Sequence, residues 1–297
     1  MTPTTPELQR TLERAVGRIQ RIERKPCPFY SSCEIEELDV TLADGTVLPV
    51  IFKNLSAHAV VEEARGRPAF LYDSLREIEI YRSVLSRRNL GTARYFASVT
   101  EPDRYWLFVE RVEGIPLWQA GDLETWRSAA RWLAELHREP VPVSRLLRYD
   151  KDYYGHWWER AVRFHPELQD IESVHDRAVS CLLDLPATFI HGEFYASNVL
   201  VKGTRICPVD WEMAASGPGL IDLAALIAGK WNDDQRLDFA GAYCGGSKLS
   251  KSTLHALDCC RLHLTVRLLG WASDWQPPAA HAHDWLREAR EIAAVLA

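Results

Sequence analysis

No apolar run in this 297-residue chain reaches the 18 residues that a membrane-spanning helix needs. Its start, MTPTTPELQR, has no apolar core of the kind that directs secretion. Cysteine offers no scaffold either. Seven stand at 27, 33, 181, 207, 244, 259 and 260, an odd number with no CxxC pair. That excludes a disulfide framework or zinc ribbon and fits reduced thiols in a cytoplasm. There is no HExxH for a zinc protease and no GxSxG for a nucleophilic serine. Excess positive charge is missing too: 35 Lys and Arg face 41 Asp and Glu, a net −6 that disfavours a nucleic-acid partner.

What is present is a globular composition, 47% apolar and 26% charged with 11 Trp, long enough for one large domain or two coupled lobes. Leu8, Leu12, Ala15, Val16, Ile19 and Ile22 predict one long first helix, capped by Thr5 and ended by Pro26 and Pro28. Strands are expected at 33–42 and 47–53 around an Asp44-Gly45 turn, and at 93–99 and 105–110. Between them 73–85 reads as a helix whose inward face carries Glu77, Ile80, Tyr81 and Val84, with Glu79 facing elsewhere. After Gly114-Ile115-Pro116 the pattern turns helical: 123–138, then two helices in 151–183 with Pro166 in the break. A short β section at 188–190, 199–201 and 206–210 precedes a mostly helical remainder from 220. The division falls at 113/114. Residues 1–113 carry 16 cationic and 17 anionic side chains and residues 114–297 carry 19 and 24, so the helical part is the acidic one, which suits a cationic substrate or metal and equally a plain solvated acidic surface.

Chemistry concentrates in HGEFYASNVLV, followed nine residues on by Asp-Trp-Glu. His191, Glu193, Asn198, Asp210 and Glu212 sit in loops between apolar strand residues. A carboxylate, a carboxamide five residues later and a second carboxylate after the next strand suit phosphoryl transfer. One carboxylate orients and deprotonates a hydroxyl, while the amide oxygen and the other carboxylate hold Mg²⁺. Oxygen donors without Cys or a neighbouring His point to a hard cation.

With these residues the sequence resembles the aminoglycoside phosphotransferase and choline kinase group, relatives of the protein kinases. HGEFYASN stands where the group has H-G-D-x-x-x-x-N, VDWE matches its Asp-containing segment, and Gly217-Pro218-Gly219-Leu220-Ile221-Asp222-Leu223-Ala224 matches a further block. The resemblance spans roughly residues 30–285. It implies a two-lobed α+β protein-kinase-like fold, with a β-rich nucleotide-binding lobe at 1–113 and a helical catalytic and acceptor lobe at 114–297. It also implies transfer of the γ-phosphoryl group of ATP, with GTP left open, to an alcohol in the presence of Mg²⁺. By the same resemblance Lys53 contacts the nucleotide phosphates and Glu77 is its helix partner. Glu110 and Val112 hold the hinge that meets adenine through backbone groups. Asn198 and Asp210 are metal ligands, with Glu212 a further candidate, and Glu193 is the catalytic carboxylate. His191 and Asp222 support the loop structurally.

Two departures stand out. Glu193 replaces the group's Asp, one methylene longer, and FYSSCEIE at 29–36 holds no glycine-rich loop, leaving Ser31 and Ser32 as alternative donors to phosphate. The expected acceptor is a small-molecule hydroxyl, of an aminoglycoside or other antibiotic, a choline-like alcohol or another metabolite. A serine or threonine of a biosynthetic peptide, and a nucleotide-binding pseudokinase scaffold, are the alternatives. Tyr153, Tyr154, Trp157 and Trp158 are read either as core or as lining an acceptor site. GAYCGGSK at 241–248 fails as a phosphate loop because Ser247 stands where Lys is required.

Overall fold

The computed structural model describes residues 3–28, 32–61, 67–141, 145–271 and 283–297. By contacts the chain forms two units, Met1–Ile115 with Leu200–Glu212, and Pro116–Val199 with Met213–Ala297. The first crossing thus lies at 115/116, and the return at 200–212 carries Asp210 and Glu212 into the first unit. No helix among the described residues is long and apolar enough to cross a membrane.

In the first unit helix α1 (Thr5–Val16) is shorter than its apolar spacing suggests. Thr4, not Thr5, is the cap residue, and its backbone N–H and hydroxyl both donate to the Glu7 carboxylate, at 2.9 and 2.8 Å. Gly17 at φ +88° ends the helix, a conformation that a residue with a Cβ rarely adopts. The chain then continues as strand β1 (Ile19–Pro26). Ile19 and Ile22 therefore join the core from a strand, packing with Leu8, Leu12, Leu38, Val40, Val50 and Phe52.

Strands β2 (Glu34–Leu42), β3 (Val47–Asn54), β4 (Tyr95–Glu101) and β5 (Arg104–Glu110) complete an antiparallel sheet of order β1-β2-β3-β5-β4. Alternation along β3 decides the chemistry: Val50 and Phe52 enter the α1 core, so Lys53 points to the other face. Helix α2 begins as Arg76–Glu79 and continues through a π-turn at Ile80–Val84 and a 3-10 turn at Leu85–Arg87. Its start is held by Asp73, whose side chain accepts from the Leu75 N–H at 2.9 Å. Glu77, Ile80, Tyr81 and Val84 are all buried on one face, as the spacing predicts.

Strand β6 (Ile115–Pro116) edges a three-stranded sheet of order β10-β9-β6, whose other strands are β9 (Val199–Lys202) and β10 (Arg205–Pro208). In the second unit α3 (Leu123–Leu136) and α4 (Lys151–Phe164) start on the aspartate caps Asp122 and Asp150. Pro166 opens a 3-10 turn that leads into α5 (Glu172–Asp184). A small sheet of order β7-β11-β8 joins β7 (Leu147–Arg148), β8 (Ala187–Ile190) and β11 (Ala215–Pro218). Helices α6 (Leu220–Leu226), α7 (Asp233–Tyr243), α8 (Lys251–Trp271) and α9 (Trp285–Leu296) follow. Helix α8 packs against α4, α5, α6 and α9, and burial on nearly every side explains its mixed apolar sequence.

Candidate active site

In the first unit three predicted residues meet. Lys53 Nζ donates to Glu77 Oε1 at 2.7 Å and to Asp210 Oδ1 at 2.9 Å. Glu77 Oε1 also accepts from the Trp211 backbone N–H at 3.2 Å, while buried Arg76 donates to the Glu212 carbonyl at 2.7 Å. Helix α2 thus fastens the Asp-Trp-Glu segment at two points. Asp210 takes φ +67°, a left-handed conformation costly for a residue with a Cβ, as expected where neighbouring contacts impose the geometry at a working site. Burial pulls the Lys53 ammonium down, but the carboxylates of Asp210 and Glu77 outweigh it and hold the pKa well above the lysine value. Burial raises the Glu77 carboxyl, against the pull of Lys53. Lys53 is therefore a fixed cation beside a partly open carboxylate, Asp210, whose side chain keeps 25% of its exposure.

Glu212 has another occupation, since its Oε1 pairs with Arg67 at 2.8 Å. Glu110, at the end of β5, accepts from Arg205 at 2.7 and 2.8 Å and from the Arg94 N–H at 3.0 Å, and the Arg205 bonds in particular hold its carboxyl below the usual range. Val112 is buried two residues on, its carbonyl accepting from the Gly114 N–H at 3.0 Å. Phe29, Tyr30 and Ser31 lie outside the described residues, and Ser32 is buried.

The second unit holds the His191–Asn198 loop. Asp222, fully buried on α6, accepts from the backbone N–H of His191 at 2.6 Å and of Gly192 at 2.8 Å, with His137 Nε2 at 3.3 Å. Gly192 sits at φ +84°, and a Cβ there would come within 2.2 Å of the Met213 carbonyl, so only glycine fits. His191 is fully buried, and its Nδ1 accepts from the Glu193 N–H at 3.3 Å, a structural placement. Phe194 anchors the loop by stacking on Trp132, with ring centroids 5.6 Å apart. The Glu193 carbonyl accepts from the Tyr195 N–H at 2.7 Å and from Asn198 Nδ2 at 3.1 Å. With its nitrogen so committed, the Asn198 amide keeps its oxygen as an acceptor, with a long 3.5 Å contact from the Ser197 hydroxyl.

One residue of this site escaped the sequence reading. Arg267, 1% exposed on α8, donates to the Gly192 carbonyl at 2.8 Å, the Tyr149 hydroxyl at 3.0 Å and the Tyr195 hydroxyl at 2.8 Å. It lies 3.7 Å from Glu193 Oε1. Burial pulls this guanidinium down, but Tyr195, Tyr149 and Glu193 among its neighbours outweigh that and keep it charged. The available signal was a lone charge inside LHLTVRLLG at 262–270. Tyr153, Tyr154 and Trp157 are core residues, and Trp158 stacks on His175 at 4.1 Å.

A family model described as the phosphotransferase enzyme family, APH, matches residues 58–258. The chain belongs to that family. The match takes in Glu77, Glu110, Val112, His191, Glu193, Asn198, Asp210, Glu212 and Asp222, while Lys53 and Arg267 fall outside it and rest on their geometry. No curated protein matches the sequence. Among solved structures, a microcompartment-associated aminopropanol kinase superposes with TM-score 0.64 at 13% identity, covering 99% of this chain and 95% of the other. A choline/ethanolamine kinase family protein from Mesorhizobium loti gives 0.61 at 15% identity, covering 98% and 93%. Spectinomycin phosphotransferase, solved with ADP and its antibiotic, gives 0.56 at 13%, covering 100% and 98%. The fold is that of the kinase-like phosphotransferases, α+β with a β-rich first part and a helical second, as the motif resemblance implies.

Proposed function

We propose that this phosphotransferase moves the γ-phosphoryl group of ATP to the hydroxyl of a small molecule with the help of Mg²⁺. The observation that carries the reading is the convergence of Lys53, Glu77 and Asp210, since a buried, charge-locked lysine beside a half-buried carboxylate suits phosphate and metal. Residues 1–113 serve as the nucleotide lobe, with Lys53 as the phosphate clamp and the backbone of Glu110 and Val112 as the hinge. Residues 114–297 provide the acceptor lobe, and the 200–212 return brings Asp210 to the nucleotide.

Each unit offers a donor suited to a hard cation: in the first, Asp210 has a carboxylate, and in the second, Asn198 has an amide oxygen left over by its bond to Glu193. Glu212, engaged by Arg67, is read as an ion-pair partner and not as a ligand. When bound, the metal neutralises charge on the phosphates. Glu193 takes the proton of the acceptor hydroxyl as that oxygen forms its bond to the γ-phosphorus, and the bridging P–O bond breaks to release ADP. Asp222 and Arg267 hold the loop from which Glu193 projects, so its carboxylate is positioned before the acceptor arrives. The similar structures are named for aminopropanol, choline or ethanolamine, and spectinomycin, all small hydroxyl compounds. Together with the −5 balance of residues 114–297 this favours a small cationic alcohol.

The test is a calorimetric titration of ATP with and without Mg²⁺ on the parent and on Asp210→Asn, followed by a phosphate-transfer screen over pooled amino alcohols. Loss of Mg²⁺-dependent affinity in the variant supports the reading. Equal Mg-ATP binding by both proteins overturns the metal assignment.

A further inference from the structure

Away from the phosphotransfer residues, the second unit gathers three soft or borderline ligands. His255 and Cys259 lie four residues apart on α8 and so share one face, one turn apart. Cys181 comes from α5, which packs against that helix. The ligand atoms of all three lie within 4.8 Å of one another, and His255 Nε2 is 3.8 Å from Cys259 Sγ. A His nitrogen and a Cys sulfur on a tetrahedral zinc stand about 3.5 Å apart, given bond lengths near 2.0 and 2.3 Å. The pair on α8 is within about 0.3 Å of that spacing.

We infer that Cys181, His255 and Cys259 form a binding site for a borderline-soft divalent cation of the zinc type, one that clamps α5 to α8. Two thiolates and a neutral imidazole balance the charge of such an ion, and softness sets it apart from the oxygen donors proposed for Mg²⁺. Three protein ligands leave a fourth position for water, and access is open because His255 is exposed while Cys259 is buried and Cys181 half-buried. The nearby carboxylate of Asp258 is committed to Arg261 at 2.9 Å and is not needed as a ligand.

Fully reduced, full-length protein is titrated with Co²⁺ under argon and the thiolate-to-cobalt charge-transfer absorption is followed, with Zn²⁺ then added as competitor and Mg²⁺ as control. One Co²⁺ per chain, displaced by Zn²⁺ and indifferent to Mg²⁺, is expected. Zn²⁺ should also raise the melting temperature of the parent. The absorption and the thermal shift should be lost in Cys181→Ser and Cys259→Ser, and kept in Cys244→Ser. His255→Ala changes only an exposed side chain, so its folding is not in question, and it should weaken Co²⁺ binding at least tenfold. Absence of the absorption in the reduced parent overturns the site. So does its persistence unchanged in both His255→Ala and Cys181→Ser, which would place the metal elsewhere.

Discussion

Arg267 Nη2 stands 3.7 Å from Glu193 Oε1, while Nη1 of the same guanidinium holds the carbonyl of the preceding residue, Gly192. A buried cation thus holds both the backbone and the carboxylate of the 191–198 loop, which gives the longer glutamate a defined place to lie. Replacing Arg267 with Met should lower kcat by about 100-fold while leaving nucleotide affinity within about twofold, because the loss is one of positioning. Arg267→Lys should recover part of kcat by restoring the charge without the planar fork. Steady-state kinetics beside nucleotide titration separates these outcomes. Parallel loss of nucleotide binding and kcat would instead indicate general unfolding.

Gly192 has no room for a side chain. Ala in its place would press a Cβ against the Met213 carbonyl and occupy φ +84°. Gly192→Ala should therefore destabilise the protein by at least about 2 kcal/mol. Urea denaturation measures this, and a change below experimental error would refute the strain.

Acid should weaken the fold through His175. Burial lowers its pKa to about 4, with Asp176 3.8 Å away opposing only weakly. The folded imidazole resists a proton that the unfolded chain accepts near 6.5. Stability from this group is complete above about pH 6.5 and falls as the pH drops toward 4, by up to about 3 kcal/mol. His175→Phe keeps the stack on Trp158 and should flatten the pH dependence of the melting temperature over that window. An unchanged slope would mean that the buried His175 does not resist protonation.

Much of this was legible before the structure, and the exceptions have physical causes. The strands at 34–42 and 47–54, the helix carrying Glu77 and the breaks at Pro166 and Gly114 follow from periodicity and turn residues. Strand β1 did not, because Ile19 and Ile22 extend the helical spacing of α1, and that spacing masks the stop that Gly17 makes at φ +88°. The motif order marked Lys53, Glu77 and Asp210, and their side chains do meet. Spacing cannot show that Arg67 engages Glu212, or that a residue 74 positions after Glu193 reaches it, since such pairings are tertiary. The tyrosine and tryptophan cluster at 153–158 is mostly core, as aromatic residues at helical spacing usually are.

Lys53 unites two carboxylates, so its removal has two separable effects. Lys53→Met should cut kcat/KM by roughly 100-fold or more. It should also destabilise the first unit by about 3 kcal/mol by leaving the buried Glu77 carboxylate without its cation. A second substitution, Glu77→Leu, should restore much of the stability and none of the activity. Thermal melting and initial rates on the single and double variants check both halves. Recovery of activity in the double variant would contradict the clamp.

The most direct measurement is single-turnover phosphate transfer by Glu193→Gln, to whichever alcohol the acceptor screen identifies. Glutamine keeps the volume and the loop contacts of the backbone but cannot accept the hydroxyl proton. The rate should fall by about 100-fold or more, Mg-ATP affinity should stay unchanged, and Glu193→Asp should retain part of the activity. Equal rates for the parent and Glu193→Gln would contradict the account, leaving Glu193 without a part in proton transfer.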